Sequence, residues 1–183
     1  MESVDRYVEE LEQILRLLPR EDISRAVEVL DQARRRGSRV FIFGNGGSAA
    51  TALHFVCDLT KGTIEEGKPR FKAYALVGNQ SIFTALANDC GYGSVFAEQL
   101  ESLAEPGDVA IAISCSGNSE NVLKAVDLAN REGLTTIGIV GFNGGELASR
   151  ADLPILVPYH SMEPIEDAHL IVAHTISTSL RRR

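Results

Sequence analysis

The chain has 183 residues, 44% hydrophobic and 23% charged, which is enough for a substantial core in one domain. Its formal net charge of −7 argues against broad nucleic-acid binding, and it contains no apolar run long enough to span a membrane. Three widely spaced cysteines, Cys57, Cys90 and Cys115, form no CxxC pair and read as reduced thiols of a cytoplasmic protein.

Val4, Tyr7, Val8, Leu11, Ile14, Leu15 and Leu18 recur at helical spacing and predict an amphipathic helix over 2–18, ended by Pro19. Its acidic start, MESVDRYVEELEQ, reads as a helix rather than a signal peptide. Ile23, Ala26, Val27, Leu30 and Ala33 predict a second helix that stops near Gly37. The apolar faces of this hairpin need a partner, either this subunit or another copy. After Gly37, apolar runs at 39–43, 72–77, 109–113, 135–140 and 153–157 alternate with helical segments. Those segments lie at about 48–60, 80–103 (broken near Gly91–Gly93), 119–132 and 144–149, and a last helix begins near 162. The alternation predicts a three-layer α/β/α domain with a parallel sheet over 38–183, preceded by helices over 1–37. Right-handed crossovers put every strand C-terminus on one edge, where ligands bind. Arg181-Arg182-Arg183 reads as a solvated helix end.

Two strand-to-helix junctions carry the chemistry. Arg39–Phe43 runs into Gly44-Asn45-Gly46-Gly47-Ser48, and Val109–Ile113 runs into Ser114-Cys115-Ser116-Gly117-Asn118-Ser119. Glycines permit close backbone approach, serines offer hydroxyl donors, and a helix N-terminus follows each loop, a combination that favours an anion such as phosphate. Ser48 either caps its helix or donates to a ligand oxygen. Neither a Walker lysine nor a GxGxxG spacing is present, which disfavours a nucleotide. A third junction, Gly141–Gly145, reads as a tight turn and helix start.

His54 and Asp58 are i,i+4 and share one helix face, a spacing that suits a local pair, one metal or one substrate. The last helix adds Glu166, Asp167, His169 and His174. Periodicity aligns Asp167 with His174 and sets Glu166 roughly 80° away from it. Sharing one ligand between Glu166 and His174 therefore needs favourable rotamers or two subunits.

Gly44-Asn-Gly-Gly-Ser48, His54-Phe55, Asn88-Asp89, Ser114-Cys-Ser-Gly-Asn-Ser119, Glu166 and His174 together resemble the sugar isomerase (SIS) domain, and within it the bacterial phosphoheptose isomerases. The resemblance covers nearly the whole chain, as a single domain. It implies a five-stranded parallel sheet, a homotetramer with active sites shared between subunits, and conversion of sedoheptulose 7-phosphate to D-glycero-D-manno-heptose 7-phosphate through an enediol. It implies substrate contacts from Asn45, Gly46, Gly47, Asn88, Asp89, Ser114, Cys115, Ser116 and Ser119, with the serines around the phosphate. It places His54, Asp58, Glu166 and His174 on zinc-ligand positions, and Asp58 and His174 on the acid–base pair. Three positions depart from the family pattern: Asp58 stands for Glu, Glu166 for Gln and Cys115 for Thr. A carboxylate at 166 either binds a divalent metal more strongly or pairs with a different substrate group. Two other readings stand beside this one. The first is a non-catalytic module that binds a phosphosugar or a replication initiator. The second is an isomerase of another phosphosugar.

Overall fold

Each apolar run after Gly37 becomes a strand, and each pair of consecutive strands is joined through helix, so the sheet is parallel throughout. A computed structural model describes residues 2–183. The strands are β1 (Arg39–Gly44), β2 (Lys72–Ala75), β3 (Val109–Ser114), β4 (Thr135–Val140) and β5 (Leu153–Leu156), in the order β2-β1-β3-β4-β5. The helices are α1 (Glu2–Leu17), α2 (Arg20–Arg36), α3 (Gly47–Cys57), α4 (Gln80–Asp89), α5 (Ala97–Leu103), α6 (Glu120–Arg131), α7 (Leu147–Arg150) and α8 (Met162–Arg181). No described helix is long and apolar enough to cross a membrane.

Strand alternation divides the core. Val40, Ile42, Ile111 and Ile139 face one layer, meeting Leu30 of α2, Phe55 of α3 and Val172 of α8. Phe41, Phe43, Ala110 and Ala112 face the other, meeting Leu100 of α5, Val126 of α6 and Leu147 of α7. The helix after β1 and the helix after β3 therefore cover opposite faces. Gly44 pairs with Ile113 at the ends of β1 and β3, so the two loops of interest leave the sheet side by side. This is the position at which the strand order reverses, where doubly wound sheets open a crevice.

The structure departs from the periodicity in three places. The helix expected over 48–60 changes pitch: α3 ends at Cys57, and Asp58–Gly62 forms one turn of π-helix. Thr60 and Thr63 donate their hydroxyls to the carbonyls of Val56 and Leu59 at 2.7 Å, competing with the regular ladder there. The strand expected over 72–77 ends at Ala75, whose carbonyl accepts from the Gly78 N–H in a turn. The helix expected over 144–149 starts at Leu147, because Gly144 and Gly145 have positive φ.

A third cluster, with Ile14 of α1, Cys115, Val157 and Ile165, seats the N-terminal helix against the start of α8. Tyr7 of α1 donates its hydroxyl to Asp167 Oδ2 at 2.7 Å. That hydrogen bond is the main reason the Tyr7 phenol is pushed up to about 12. Asp167 is thus engaged by α1, and the partner of His174 is a different carboxylate.

His169 of α8 is 1% exposed, with its Nδ1 4.0 Å from Cys115 Sγ. Burial pushes the imidazole down to about 4 from an ordinary 6.5. Between these values the unfolded chain binds a proton that the folded chain refuses. Stability is therefore full above pH 6.5 and falls as the pH drops toward 4, by on the order of 3 kcal/mol from this group. Denaturant unfolding at pH 7 and pH 4 tests this: His169→Gln should lose markedly less stability between the two than the wild type, and equal losses would contradict it.

Candidate active site

The loop from β1 to α3 and the loop from β3 to α6 meet over the β1/β3 ends. No side chain caps the N-terminus of either helix, so their first-turn N–H groups lack side-chain acceptors. Ser114 and Ser116 point their hydroxyls into their own loop, accepting from the Gly117 and Asn118 N–H groups at 3.2 Å. Ser119 is the N-cap residue of α6 and makes no cap bond, which leaves its hydroxyl for a ligand. Ser48 is buried in the first turn of α3.

The third junction is a buttress. Gly117 has φ 66, and a Cβ there would lie 2.1 Å from the Gly144 carbonyl oxygen. The Gly117 carbonyl accepts from the Leu147 N–H, and Asn118 Oδ1 accepts from the Glu146 N–H. The β4–α7 loop thereby holds the serine loop in place.

Asn45 reaches across the crevice. Its carboxamide exchanges two hydrogen bonds of 2.9 Å with Asn121 of α6, and the Tyr92 hydroxyl donates to its Oδ1 at 2.8 Å. Asn45, Gln80, Phe83, Thr84 and Tyr92 line a cavity of about 370 Å³ beside the loop.

The second constellation lies farther along α3. His54 Nε2 and His174 Nε2 are 3.1 Å apart. Asp58 Oδ1 is 3.7 Å from the former, and Asp58 Oδ2 is 3.5 Å from the latter. Ser177, 2% exposed, places its hydroxyl 3.5 Å from Asp58 Oδ2. Both imidazoles are half-exposed. One ring donates to the other, or both turn lone pairs toward a cation. Ligand atoms about 2.0–2.1 Å from a tetrahedral zinc lie about 3.3 Å from one another, close to the spacings seen here. The His–Asp–His set therefore fits a divalent ion with a further position open.

Glu166 lies elsewhere within the protomer. Eight residues of α8 separate it from His174, a rise of about 12 Å. Its carboxylate rests against Gly47, where a Cβ would come within 2.5 Å of Oε1, so glycine there gives it room. Asn88 and Asp89 are exposed at the end of α4, where Asn88 Nδ2 donates to Asp89 Oδ1 at 2.7 Å. Cys115 turns its thiol inward, 7% exposed, and burial together with nearby Glu166 pushes it up to about 11. Sequence reasoning missed Asn121, Tyr92 and Ser177. Ser177 stands three residues after His174 and was open to discovery by helical spacing alone, whereas nothing in the sequence pattern marks Asn121 or Tyr92.

Fold and site together define a doubly wound α/β domain whose loops converge on the switch point of the sheet. The SIS domain family matches residues 6–141. The phosphoheptose isomerase of Geotalea daltonii is 40% identical over 161 residues, 88% of this chain and 83% of that protein. The solved phosphoheptose isomerase of Neisseria gonorrhoeae superposes with a TM-score of 0.88 at 30% identity, over 99% of this chain and 96% of the other. That of Francisella tularensis gives 0.91 at 27% identity, over 100% and 96%. The chain belongs to the SIS domain family, on its phosphoheptose isomerase branch.

Gly117→Ala should cost at least about 2 kcal/mol, since both φ and the Gly144 carbonyl oppose a side chain. Urea unfolding measures it, and a loss below about 0.5 kcal/mol would mean that the two loops are not tightly stacked.

Proposed function

We propose that this chain is an aldose–ketose isomerase that converts sedoheptulose 7-phosphate to D-glycero-D-manno-heptose 7-phosphate. The observation that carries the reading is the meeting of Asp58 and His174, 3.5 Å apart on two different helices, in a fold that also gathers uncapped helix N-termini and serines at its switch point. The names of its relatives in Geotalea, Neisseria and Francisella support the same chemistry.

Isomerisation moves a proton between adjacent carbons of the sugar through an enediol. It needs a base at the carbon, a group that moves hydroxyl protons and a handle that fixes the distance. The Ser116 and Ser119 hydroxyls, the Gly46 and Gly47 backbone and the α6 N-terminus hold the phosphate. Asp58 and His174 form the acid–base pair, passing protons between the carbon and the neighbouring oxygens. Ser177 lies 3.1 Å from the His174 carbonyl and 3.5 Å from Asp58 Oδ2, so its hydroxyl sits beside the pair and has one proton to share between those two acceptors. The shorter Asp58, in place of Glu, starts the π-turn, where the local pitch sets how far its carboxylate reaches.

His54, Asp58 and His174 would hold a zinc ion, and Glu166 contributes only from another subunit, given its distance along α8. When bound, the ion polarises the substrate carbonyl. We also propose that copies of the chain associate as a homotetramer with shared active sites. Val4, Val8 and Leu15 on α1, Leu53 beside His54 and Ile82 on α4 are at least 40% exposed and supply apolar surface for it.

Deuterium exchange from solvent into sedoheptulose 7-phosphate should fall at least about 100-fold in His174→Ala and in Asp58→Asn. Wild-type exchange in both would remove the acid–base assignment. A panel of other ketose phosphates run beside it decides the sugar. Mixing Glu166→Ala with His174→Ala subunits should restore part of the activity if sites are shared, and no restoration in a confirmed mixed oligomer would reject the sharing.

A further inference from the structure

We propose that Asn121 and Tyr92 are positioning residues of the phosphosugar cradle: they hold the Asn45 carboxamide in the orientation that offers the substrate a hydrogen-bond donor. The inference rests on the phosphosugar reading above and deepens it.

Asn45 follows β1 and Asn121 sits in the first turn of α6, so they belong to loops whose helices diverge to opposite faces of the sheet. Their side chains exchange Asn45 Nδ2 to Asn121 Oδ1 and Asn121 Nδ2 to Asn45 Oδ1, both at 2.9 Å. Flipping either amide alone would set nitrogen against nitrogen and oxygen against oxygen, so the pair fixes both orientations together. Tyr92 adds a third point to this pair: in the orientation present its hydroxyl, 2.8 Å away, donates to Asn45 Oδ1. The Tyr92 ring is itself braced edge-on by Phe83, with centroids 5.9 Å apart. Asn121 is 2% exposed, so water cannot readily replace what it gives Asn45.

The chemical consequence is directional. Asn45 Oδ1 already receives two donors, which uses its lone pairs. Nδ2 spends one N–H on Asn121 and keeps the other. Asn45 lies in the wall of the cavity shared with Gly44 and Gly46, so the free N–H is the side-chain donor it has left for a ligand there. It selects an acceptor, such as a phosphate or hydroxyl oxygen, at a set direction. The clamp also ties the β1–α3 loop to the β3–α6 loop, keeping the two halves of the cradle in register. Neither Asn121 nor Tyr92 touches the Asp58–His174 pair, so their loss weakens binding in the ground state and the transition state alike.

Steady-state kinetics with sedoheptulose 7-phosphate, together with amide hydrogen exchange over residues 44–48, test this in Asn121→Ala and Tyr92→Phe. The expected result is a KM raised about tenfold in Asn121→Ala and about fivefold in Tyr92→Phe, with kcat within about threefold of wild type. Exchange over 44–48 should quicken in both. A folded Asn121→Ala enzyme with wild-type KM, or one that loses only thermal stability, overturns the proposal. If Asn121→Ala does not fold, Tyr92→Phe decides alone, because it removes one hydroxyl and keeps the ring against Phe83; wild-type KM and exchange there overturn the proposal. The functional reading fails separately, through absence of turnover by the wild-type protein on every phosphosugar. In that event the exchange measurement still judges the clamp, and unchanged exchange over 44–48 overturns it.

Discussion

The pairing of β1 with β3 is the constraint on which the rest depends. In a parallel sheet every strand delivers its C-terminus to the same edge, so the edge collects loops and helix N-termini. Between β1 and β3 the order turns: β1 leads through α3 to β2 on one side, and β3 leads through α6 to β4 on the other. The two crossovers take opposite faces, and the helices diverge as they leave. A crevice is the geometric result, and side chains small enough to line it without filling it are what both loops supply. The close approach has its own demand: a Cβ on Gly44 would sit 2.5 Å from the Ile113 carbonyl oxygen, so the β1 end admits only glycine without a shift of backbone.

The clustering of His54, Asp58 and His174 follows from a second packing fact. α3 with its π-turn lies alongside α8, and the two run in the same direction. Glu166 lies against Gly47, His174 meets His54 and Asp58, Ser177 meets Asp58, and Arg181 reaches Gly62. The order of contacts matches residue for residue along both segments. Such a pair of rods separates its two ends by a fixed length, so the group at the α3 N-terminus and the group at Asp58 cannot close on one atom within a protomer. Helices are rigid rulers, and this one measures about 12 Å from Glu166 to His174. A site that used both Glu166 and His174 would need two copies of the chain, and the apolar stripe of α1 together with Leu53 and Ile82 is exposed surface on which copies could meet.

Much of this was legible in the sequence, and the rest was hidden for physical reasons. The alternation of apolar runs with helices identified the layers because strand and helix periods differ. The two glycine- and serine-rich junctions were visible because backbone approach and hydroxyl donation each demand a narrow choice of residue. His54 with Asp58 was visible as an i,i+4 pair. The order of strands was not, since periodicity records which residues are buried but not which strand lies beside which. The π-turn at Asp58 was hidden because threonine back-bonding acts on the backbone without altering the apolar pattern. Asn121 and Tyr92 were hidden because each meets Asn45 across a long stretch of sequence, and asparagine at a helix start ordinarily signals no more than capping. Asp167 misled by its alignment with His174. The helical angle is right, but α1 covers that part of α8 and Tyr7 takes the carboxylate.

The two loops at the switch point, each a candidate for an anion by its residues, are unequal in the folded chain. A helix N-terminus carries roughly half a positive charge, and a carboxylate nearby neutralises it. Glu166 places its carboxylate against the first residue of α3. α6 has no such neighbour: its N-cap serine leaves its hydroxyl uncommitted, and the acidic residue of its first turn, Glu120, is engaged by Lys124. A phosphate entering the crevice meets repulsion from Glu166 on the α3 side and open donors on the α6 side. At an effective dielectric of about 20, two unit charges 5 Å apart repel by about 3 kcal/mol, enough to decide between neighbouring positions. The departure from Gln to Glu at 166 therefore bears on where the phosphate rests as much as on metal binding. On the proposed function, the serine loop would then be the stronger anchor of the two, and the glycine loop would add its backbone to the cradle and orient the sugar through Asn45.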